Sequence, residues 1–353
     1  MRRPRRTSAT RAVLALFALL GGPAAAGGYR DLGILISSGR HGYTYAYAPA
    51  IVREGGTLHM FFCSYGRPGI WDYVRYASSD DDGRTWTDPV VALEGTDETG
   101  ERAVCDPSLV RYQAPGDPRP YWYLHYSGNA AGIGTAVFVA RAEAVAGPYA
   151  KWSRRGTWEV GAPDPAVVIA PTRPKPDGSG FYGAGQQAVV VRDGRLALWF
   201  TDDTTCDASC PKVFATESAD PTRFPRRVAT EGAAVWSMDV KRRPDGRFAL
   251  FGIVRAHQTG ATLVTQLSAD GIRWDAATTL CGEGCLDPYA HNLGVAGDAT
   301  GGLARAPVLA VYGAPAGREG RCGICWGKWD LAGGLLPEAP AIRNAAPAGQ
   351  GAR

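Results

Sequence analysis

The chain has 353 residues, and its 38 lysines and arginines against 34 aspartates and glutamates give a formal net charge of +4. Five of those arginines precede residue 12, so the rest of the chain carries about +4 − 5 = −1, which excludes the broad basic surface that binds nucleic acid. The 46 glycines, 25 prolines, ten tryptophans and fifteen tyrosines favour short strands joined by tight turns.

Residues 1–26 predict an export signal. Arginines precede the apolar run AVLALFALL, and the small residues AAA stand just before Gly27. The paired arginines are also compatible with export by a twin-arginine exporter. The apolar run is too short to span a bilayer. We therefore expect a secreted or periplasmic protein without a membrane anchor, with a propeller domain over residues 27–336. Residues 337–353 predict a disordered tail.

Five copies of one unit follow along the chain. Each copy has an apolar run, a glycine turn, a second run rich in aromatic residues, and a third run ending in a turn. The copies begin at APAIVREGG, CDPSLVRYQ, GQQAVVVRDG, SMDVKRRPDG and HNLGVAGDA. Sequential sheets of this size predict an all-β, five-bladed β-propeller. The unassigned run RDLGILIS, residues 30–37, is expected to complete the last blade.

Two turns share a Ser/Asp-Gly/Trp pattern, SSDDDGRTW at residues 78–86 and SADGIRW at 268–274. Asp and Gly favour a tight turn, Ser and Asp side chains bind nearby amides, and Trp packs between blades. This pattern therefore indicates fold rather than chemistry. It lies between the third and fourth strands, on the face opposite the pocket.

The eight cysteines are an even number, as disulfides in an exported chain require. Three close pairs are Cys206/Cys210, Cys281/Cys285 and Cys322/Cys325, which leaves Cys63 and Cys105. Disulfides are favoured, although CGEGC and CGIC could instead supply four thiolates to zinc.

The DPS at residues 106–108, the S-x-D-G-x-x-W turns, GPYAKW at 147–152 and the five copies together resemble the five-bladed propeller glycosidases, the group of arabinanases, β-xylosidases, invertases and levansucrases. The resemblance implies a funnel in which the inner strands of the first three blades carry an Asp, a second Asp and a Glu. Asp106 matches the second-blade Asp. Ala48-Pro49 stands where the first-blade Asp is expected, and Gln186-Gln187 stands where Glu is expected.

Glycoside hydrolysis needs two carboxyl groups, so other carboxylates must replace the missing ones. Asp239 lies on the fourth inner strand between apolar neighbours, and a buried charge must be paired. We expect Asp106 and Asp239 to be the acid/base pair, with Asp203 in reserve. Further acidic residues expected near the funnel are Asp72, Asp202, Asp207 and Asp287, of which Asp202 and Asp287 also fit a role in turns.

The resemblance also implies a channel histidine at a calcium or water site, and His291 occupies the matching position. His41, His125 and His257 are further candidates near the rim for a transition metal. No cofactor is required for the hydrolysis, and calcium in the channel remains open. Side chains expected to contact sugar, by stacking or by hydrogen bonds, are Tyr45, Tyr47, Trp71, Gln186, Trp236 and Asn292.

The sequence thus predicts a monomeric, exported, carbohydrate-active propeller that acts on an oligo- or polysaccharide without nucleic acid or membrane partners. Glycoside hydrolysis with a rearranged carboxylate set is the preferred function. The alternative is a glycan-binding propeller that has lost its acid and base. A metal-dependent lyase or oxidoreductase ranks third.

Overall fold

The computed structural model describes residues 29–42, 44–67, 70–96, 101–174, 182–205, 212–233, 235, 237–256, 258–303, 308–315 and 329–336. The predicted export signal and tail, Cys206, Cys210, Cys322 and Cys325 all lie outside them. Within these ranges the fold is all-β, and no helix is long and apolar enough to cross a membrane.

Five antiparallel sheets stand around a central axis, each made chiefly of four strands in sequence order. Blade 1 contains β2 (Ala46–Glu54), β3 (Thr57–Arg67), β4 (Ile70–Ser79) and β5 (Val90–Leu93). Blade 2 contains β6 (Val104–Tyr112), β7 (Tyr121–Ala130), β8 (Gly134–Ala142), β9 (Ala150–Trp152) and β10 (Trp158–Val160). Blade 3 contains β11 (Ala184–Arg192), β12 (Arg195–Asp202), β13 (Lys212–Ser218) and β14 (Val228–Ala229). Blade 4 contains β15 (Met238–Arg242), β16 (Phe248–Val254), β17 (Thr262–Ser268) and β18 (Thr278–Cys281). Blade 5 contains β19 (His291–Val295), β21 (Val308–Pro315), β22 (Trp329–Leu336) and the N-terminal β1 (Arg30–Ile36).

The N-terminal strand completes the last blade, as predicted. Strand β1 pairs antiparallel with β22, with Arg30 opposite Leu335. Beyond the strand, the Ser38 amide and hydroxyl donate to Asp330 Oδ1 at 2.8 and 2.9 Å. The propeller is therefore closed by its own two ends.

Apolar side chains fill the spaces between neighbouring blades. Side chains alternate across a strand, so Met60 and Phe62 of β3 pack toward blade 5, whereas Phe61 packs toward blade 2. All three are fully buried. Burial of each such side chain stabilises the fold by about 1.5–3 kcal/mol.

The Ser/Asp-Gly/Trp pattern forms the turn between the third and fourth strands, as predicted. Ser79 Oγ accepts a hydrogen bond from Gly83 N at 2.9 Å, and Gly83 has φ +85°, a conformation that favours glycine. In blade 4, Gly271 N donates to Ser268 Oγ at 2.8 Å in the same way. Trp86 and Trp274 then pack into the apolar layers.

Two disulfides are present among the described residues. Cys63–Cys105 joins β3 of blade 1 to β6 of blade 2, and Cys281–Cys285 closes a short loop. Such bonds persist in oxidising compartments and therefore indicate an extracellular or periplasmic protein.

Residues 297–303, here called the channel loop, close one end of the central channel. The loop pairs with β2 through the short parallel strand β20 (Gly297–Asp298). Its carbonyls then accept hydrogen bonds from the backbone amides of Arg111, Val191 and Arg242, at 2.6, 2.8 and 2.9 Å. One loop of blade 5 is thus bonded to the inner strands of the other four blades.

Asp298 holds the channel loop in shape, because its Oδ1 accepts from Thr300 N, Thr300 Oγ1 and Gly302 N at 2.7–2.8 Å. We expect Asp298→Ala to lower the free energy of unfolding by about 1–3 kcal/mol, since it removes several hydrogen bonds of about 1 kcal/mol each. Urea unfolding measures the change. Glu217→Ala, at the exposed position of β13, is the control, and equal loss in both variants would contradict a special role for the loop.

Candidate active site

The inner strands of the five blades meet in a ring at the other end of the channel. Each inner strand contributes two residues to this ring, and these residues enclose a cavity of about 30 Å³. In β6, β11 and β15 the ring residues precede the amides that bond the channel loop. The ring is Ala48–Pro49, Asp106–Pro107, Gln186–Gln187, Ser237–Met238 and Asn292–Leu293.

Four of the five strands bulge at this point. Ala48, Asp106, Gln186 and Asn292 have φ between 45° and 52°, and the strand register shifts at the same places. Bulges re-aim side chains and are common beside active sites, and positive φ costs energy in a residue other than glycine. The shared distortion directs these ring residues into one small site.

Asp106 is the one carboxylate of the ring. The Tyr182 hydroxyl donates to its Oδ2, and Asn292 Nδ2 donates to its Oδ1 at 3.3 Å. Burial raises the pKa of Asp106, and the hydrogen bond from Tyr182 opposes that rise. The disulfide fixes the backbone beside it, with Asp106 N 3.0 Å from Cys63 Sγ.

Asp72, on β4 of blade 1, supplies a second carboxyl group. Its two oxygens accept hydrogen bonds from the hydroxyls of Tyr45 and Tyr47, at 2.7 and 3.2 Å. Burial raises the pKa of Asp72 to about 6, the two tyrosines oppose the rise, and the charge of Asp106 adds to it. The charges of Asp72 and Asp106 also both raise the pKa of Tyr47 and that of Tyr182. The two carboxyl groups therefore interact electrostatically.

Tyr182 was not predicted from the sequence as a site residue. Hydrogen bonds to Asp203 hold it in position. The amides of Tyr182 and Gly183 each donate to one oxygen of Asp203, the second at 2.7 Å. Gly183 has φ +119°, and a Cβ there would lie 2.4 Å from Thr135 O. Asp203, predicted as a reserve catalytic residue, thus holds the loop that carries Tyr182.

Asp239 is bonded to Lys241 and Val295 and not to Asp106 or to the hydrogen-bond partners of Asp106, Tyr182 and Asn292. Its Oδ1 accepts from Lys241 Nζ at 2.7 Å, and its Oδ2 accepts from Val295 N at 2.8 Å. Residues i and i+2 of a strand share a face, so Asp239 and Lys241 form a buried ion pair where blades 4 and 5 meet.

The two glutamines have different environments. Gln187 joins blades 2 and 3, since its Nε2 donates to the carbonyls of Asp106 and His125 and its Oε1 accepts from Ser127. Gln186 is less buried and lines the cavity, with its Oε1 accepting from Thr201 Oγ1 at 3.2 Å. Gln186 can bind a ligand by hydrogen bonds but cannot act as a general acid.

His291 packs against aromatic rings, with centroid distances of 5.5 Å to Tyr47 and 4.1 Å to Trp329. A calcium or water site at His291 stays a prediction; calcium takes six to eight oxygens, and Asp106 is the one carboxylate that the ring offers. The only His/Cys/Asp/Glu cluster with metal-ligand spacing among the described residues is Cys63, Cys105 and Asp106, whose sulfurs form the disulfide.

The other candidates lie away from the ring or outside the described residues. Asp202 is buried and binds Thr172 and Thr204, and Asp287 accepts from Tyr312. His125 is buried against Pro221 and Phe224, where burial lowers its pKa to about 4, and His41 lies near Asp88. Predictions that fall outside the described residues concern Asp207, Trp236, His257 and the Trp71 side chain.

No protein-family model matches the chain, and no curated protein matches it. Solved structures, in contrast, do match this chain. The catalytic domain of a Coprinopsis cinerea GH62 α-L-arabinofuranosidase aligns with TM-score 0.61 and 13% identity, over 89% of this chain and 98% of that one. An α-L-arabinofuranosidase from Podospora anserina, in complex with cellotriose, gives 0.59 and 16%, over 90% and 99%. A family 117 glycoside hydrolase from Zobellia galactanivorans gives 0.59 and 15%, over 88% and 89%.

The fold is therefore that of the five-bladed propeller glycosidases, which confirms the predicted resemblance at the level of fold. At these identities the likeness carries no residue roles.

The electrostatics of Asp72 predict a pH effect on stability. Its folded pKa, about 6, lies above the unfolded value, so its contribution to stability is full at low pH and is lost as pH rises through 6. Asp72→Asn does not titrate, and we expect its stability relative to wild type to improve between pH 4 and pH 7. Urea unfolding at both pH values measures this, and a constant difference between the two proteins would contradict the assignment.

Proposed function

We propose that this protein is an exported glycoside hydrolase that cleaves an O-glycosyl bond of an oligo- or polysaccharide, with Asp72 and Asp106 as its acid and base. The observation that carries the proposal is the pair of electrostatically coupled carboxyl groups in one tyrosine-lined site. Asp72 replaces Asp239 as the partner of Asp106.

The coupling between the two groups supports a division of roles. When one carboxyl group ionises, it disfavours ionisation of its neighbour, so the pair favours a state in which one group is protonated and the other is charged. Asp72, with a pKa of about 6, is suited to protonate the leaving oxygen. Asp106, held by Tyr182 and Asn292, is suited to take a proton from the attacking group.

The surroundings of the pair suit a sugar. Tyr45 and Tyr47 are partly exposed rings whose hydroxyls already orient Asp72, and aromatic faces bind the apolar C–H faces of sugar rings. Gln186 and Asn292 offer amide groups at the cavity. These residues would orient the sugar while the two carboxyl groups act on the bond.

A glycan-binding propeller without catalysis is the second candidate. It is favoured by a specific observation: the ring has Ala48 and Gln186 where the resemblance predicts carboxylates. In that case Asp106 would bind sugar hydroxyl groups as a hydrogen-bond acceptor.

A release assay on a panel of plant and bacterial polysaccharides separates the two. We expect wild type to release reducing sugar, and Asp72→Asn and Asp106→Asn each to lower the rate by about 10²- to 10⁴-fold, as loss of a general acid or base does. Asp287→Asn is the matched control, because Asp287 also has a raised pKa and accepts from a tyrosine hydroxyl but lies away from the ring.

The pH profile tests the roles. If Asp72 is the acid, the rate should fall as pH rises past about 6, because Asp72 then loses its proton. Asp72→Asn should remove that alkaline limb. Absence of release by wild type, together with retained binding of one glycan, would overturn hydrolysis and establish the binding protein.

A further inference from the structure

A second and larger cavity, of about 550 Å³, opens where blades 1 and 5 meet, and we call it the lateral cleft. It lies between the loop from β1 to β2 and the outer part of blade 1. Its polar lining is Arg40, His41, Tyr65, Arg75 and Asp88. The volume is within the range of small-molecule sites.

The lateral cleft is predominantly cationic. Two guanidinium groups and one imidazole face one carboxylate, that of Asp88, whose side chain is 94% exposed and lies 3.5 Å from His41 Nδ1. An exposed carboxylate is hydrated and screened, so it offsets little of the charge of the two arginines. The cleft therefore favours an anionic ligand.

Arg75 is held in a defined position within the cleft. Its Nε donates to Ser64 Oγ and its Nη2 to the Tyr65 carbonyl. A guanidinium that is fixed in advance loses less entropy when it binds an anion, and its planar group suits a carboxylate or a sulfate. Arg40 is exposed at the opposite wall.

Tyr65 joins the lateral cleft to the proposed catalytic pair. It lines the cleft, and its ring meets the ring of Tyr45 edge-on at a centroid distance of 6.1 Å. Tyr45 in turn donates to Asp72 at 2.7 Å. A glycan held at Asp72 and Asp106 could thus extend across two aromatic rings into the cleft.

We propose that the lateral cleft is a subsite for a negatively charged sugar, one that carries a uronate carboxylate or a sulfate ester, on the glycan that the ring site binds. This inference rests on the proposed function for its link to cleavage, and it names the substrate class as an anionic polysaccharide. The ring itself agrees with this class, because Ala48 and Gln186 leave Asp106 as its one carboxyl group.

Binding without turnover tests the subsite separately from catalysis. The probes are D-glucuronate, D-glucose 6-sulfate and D-glucose, titrated into the full protein by calorimetry. We expect at least one anionic probe to bind about tenfold tighter than glucose, with an affinity that falls as salt rises. Which anion binds distinguishes a uronate from a sulfate ester.

Matched variants locate the binding. Arg40→Gln removes one charge from the cleft wall and should lower the affinity for the anionic probe about fivefold or more, and Arg75→Lys, which keeps the charge but loses the planar group, should also lower it. Arg223→Gln, at an exposed position between β13 and β14 of blade 3, is the control and should change nothing.

The inference is overturned if neither anion binds better than glucose, or if both cleft variants bind the anion as wild type does. Either result leaves polysaccharide release and its dependence on Asp72 and Asp106 untouched. Conversely, anion binding that depends on Arg40, in a protein that releases no sugar, would support the subsite and reject hydrolysis.

Discussion

Backbone hydrogen bonds from the channel loop to the inner strands of four other blades set the geometry of the centre. They fix the height of each inner strand against a common reference, at Arg111, Val191 and Arg242 and along β2. Because each of these three amides lies five residues after a ring residue, Asp106, Gln186 or Ser237, the ring residues arrive at one level. The site at one end of the channel therefore depends on the loop at the other end.

The sequence predicted the fold more completely than the site. Repeated turns and alternating runs are local patterns, and they identified five blades and the N-terminal strand that closes the last one. The position of Asp106 in the funnel followed from the resemblance that the DPS at residues 106–108 carries, at the start of an inner strand. The blades themselves follow from the order of the strands and from the alternation of apolar residues along them.

Asp72 was expected near the funnel, but the pairing that we propose between Asp72 and Asp106 could not be predicted, because it depends on contacts between distant segments. Asp239 is a charged residue in an apolar strand, which favoured a site role. Lys241, two positions later, is the residue with which it forms an ion pair. Asp72 lies on a third strand and reaches the site through the hydroxyls of Tyr45 and Tyr47. Tyr182 precedes an inner strand in a glycine-containing loop, and nothing in its local pattern indicates which carboxylate it contacts.

Tyrosine hydroxyls donate hydrogen bonds to both carboxyl groups of the proposed site. Tyr45 and Tyr47 bind one carboxyl group and Tyr182 the other, so each acid is oriented by neutral donors rather than by charged neighbours. Neutral donors restrain the position of a carboxyl group without the strong stabilisation of its ionised form that a cation would give. Burial raises the pKa of Asp72 to about 6, and the tyrosine hydrogen bonds offset that rise only in part.

The closure of blade 5 by β1 has a consequence for how the chain folds. Ser38 and Asp330 are 292 residues apart, and their hydrogen bonds form only when nearly the whole chain is present. Contacts of such long range form slowly, because the entropy of a large loop must be lost first. The growing polypeptide can build blades 1 to 4 from neighbouring segments. Strand β1, however, stays unpaired until β22 has been synthesised.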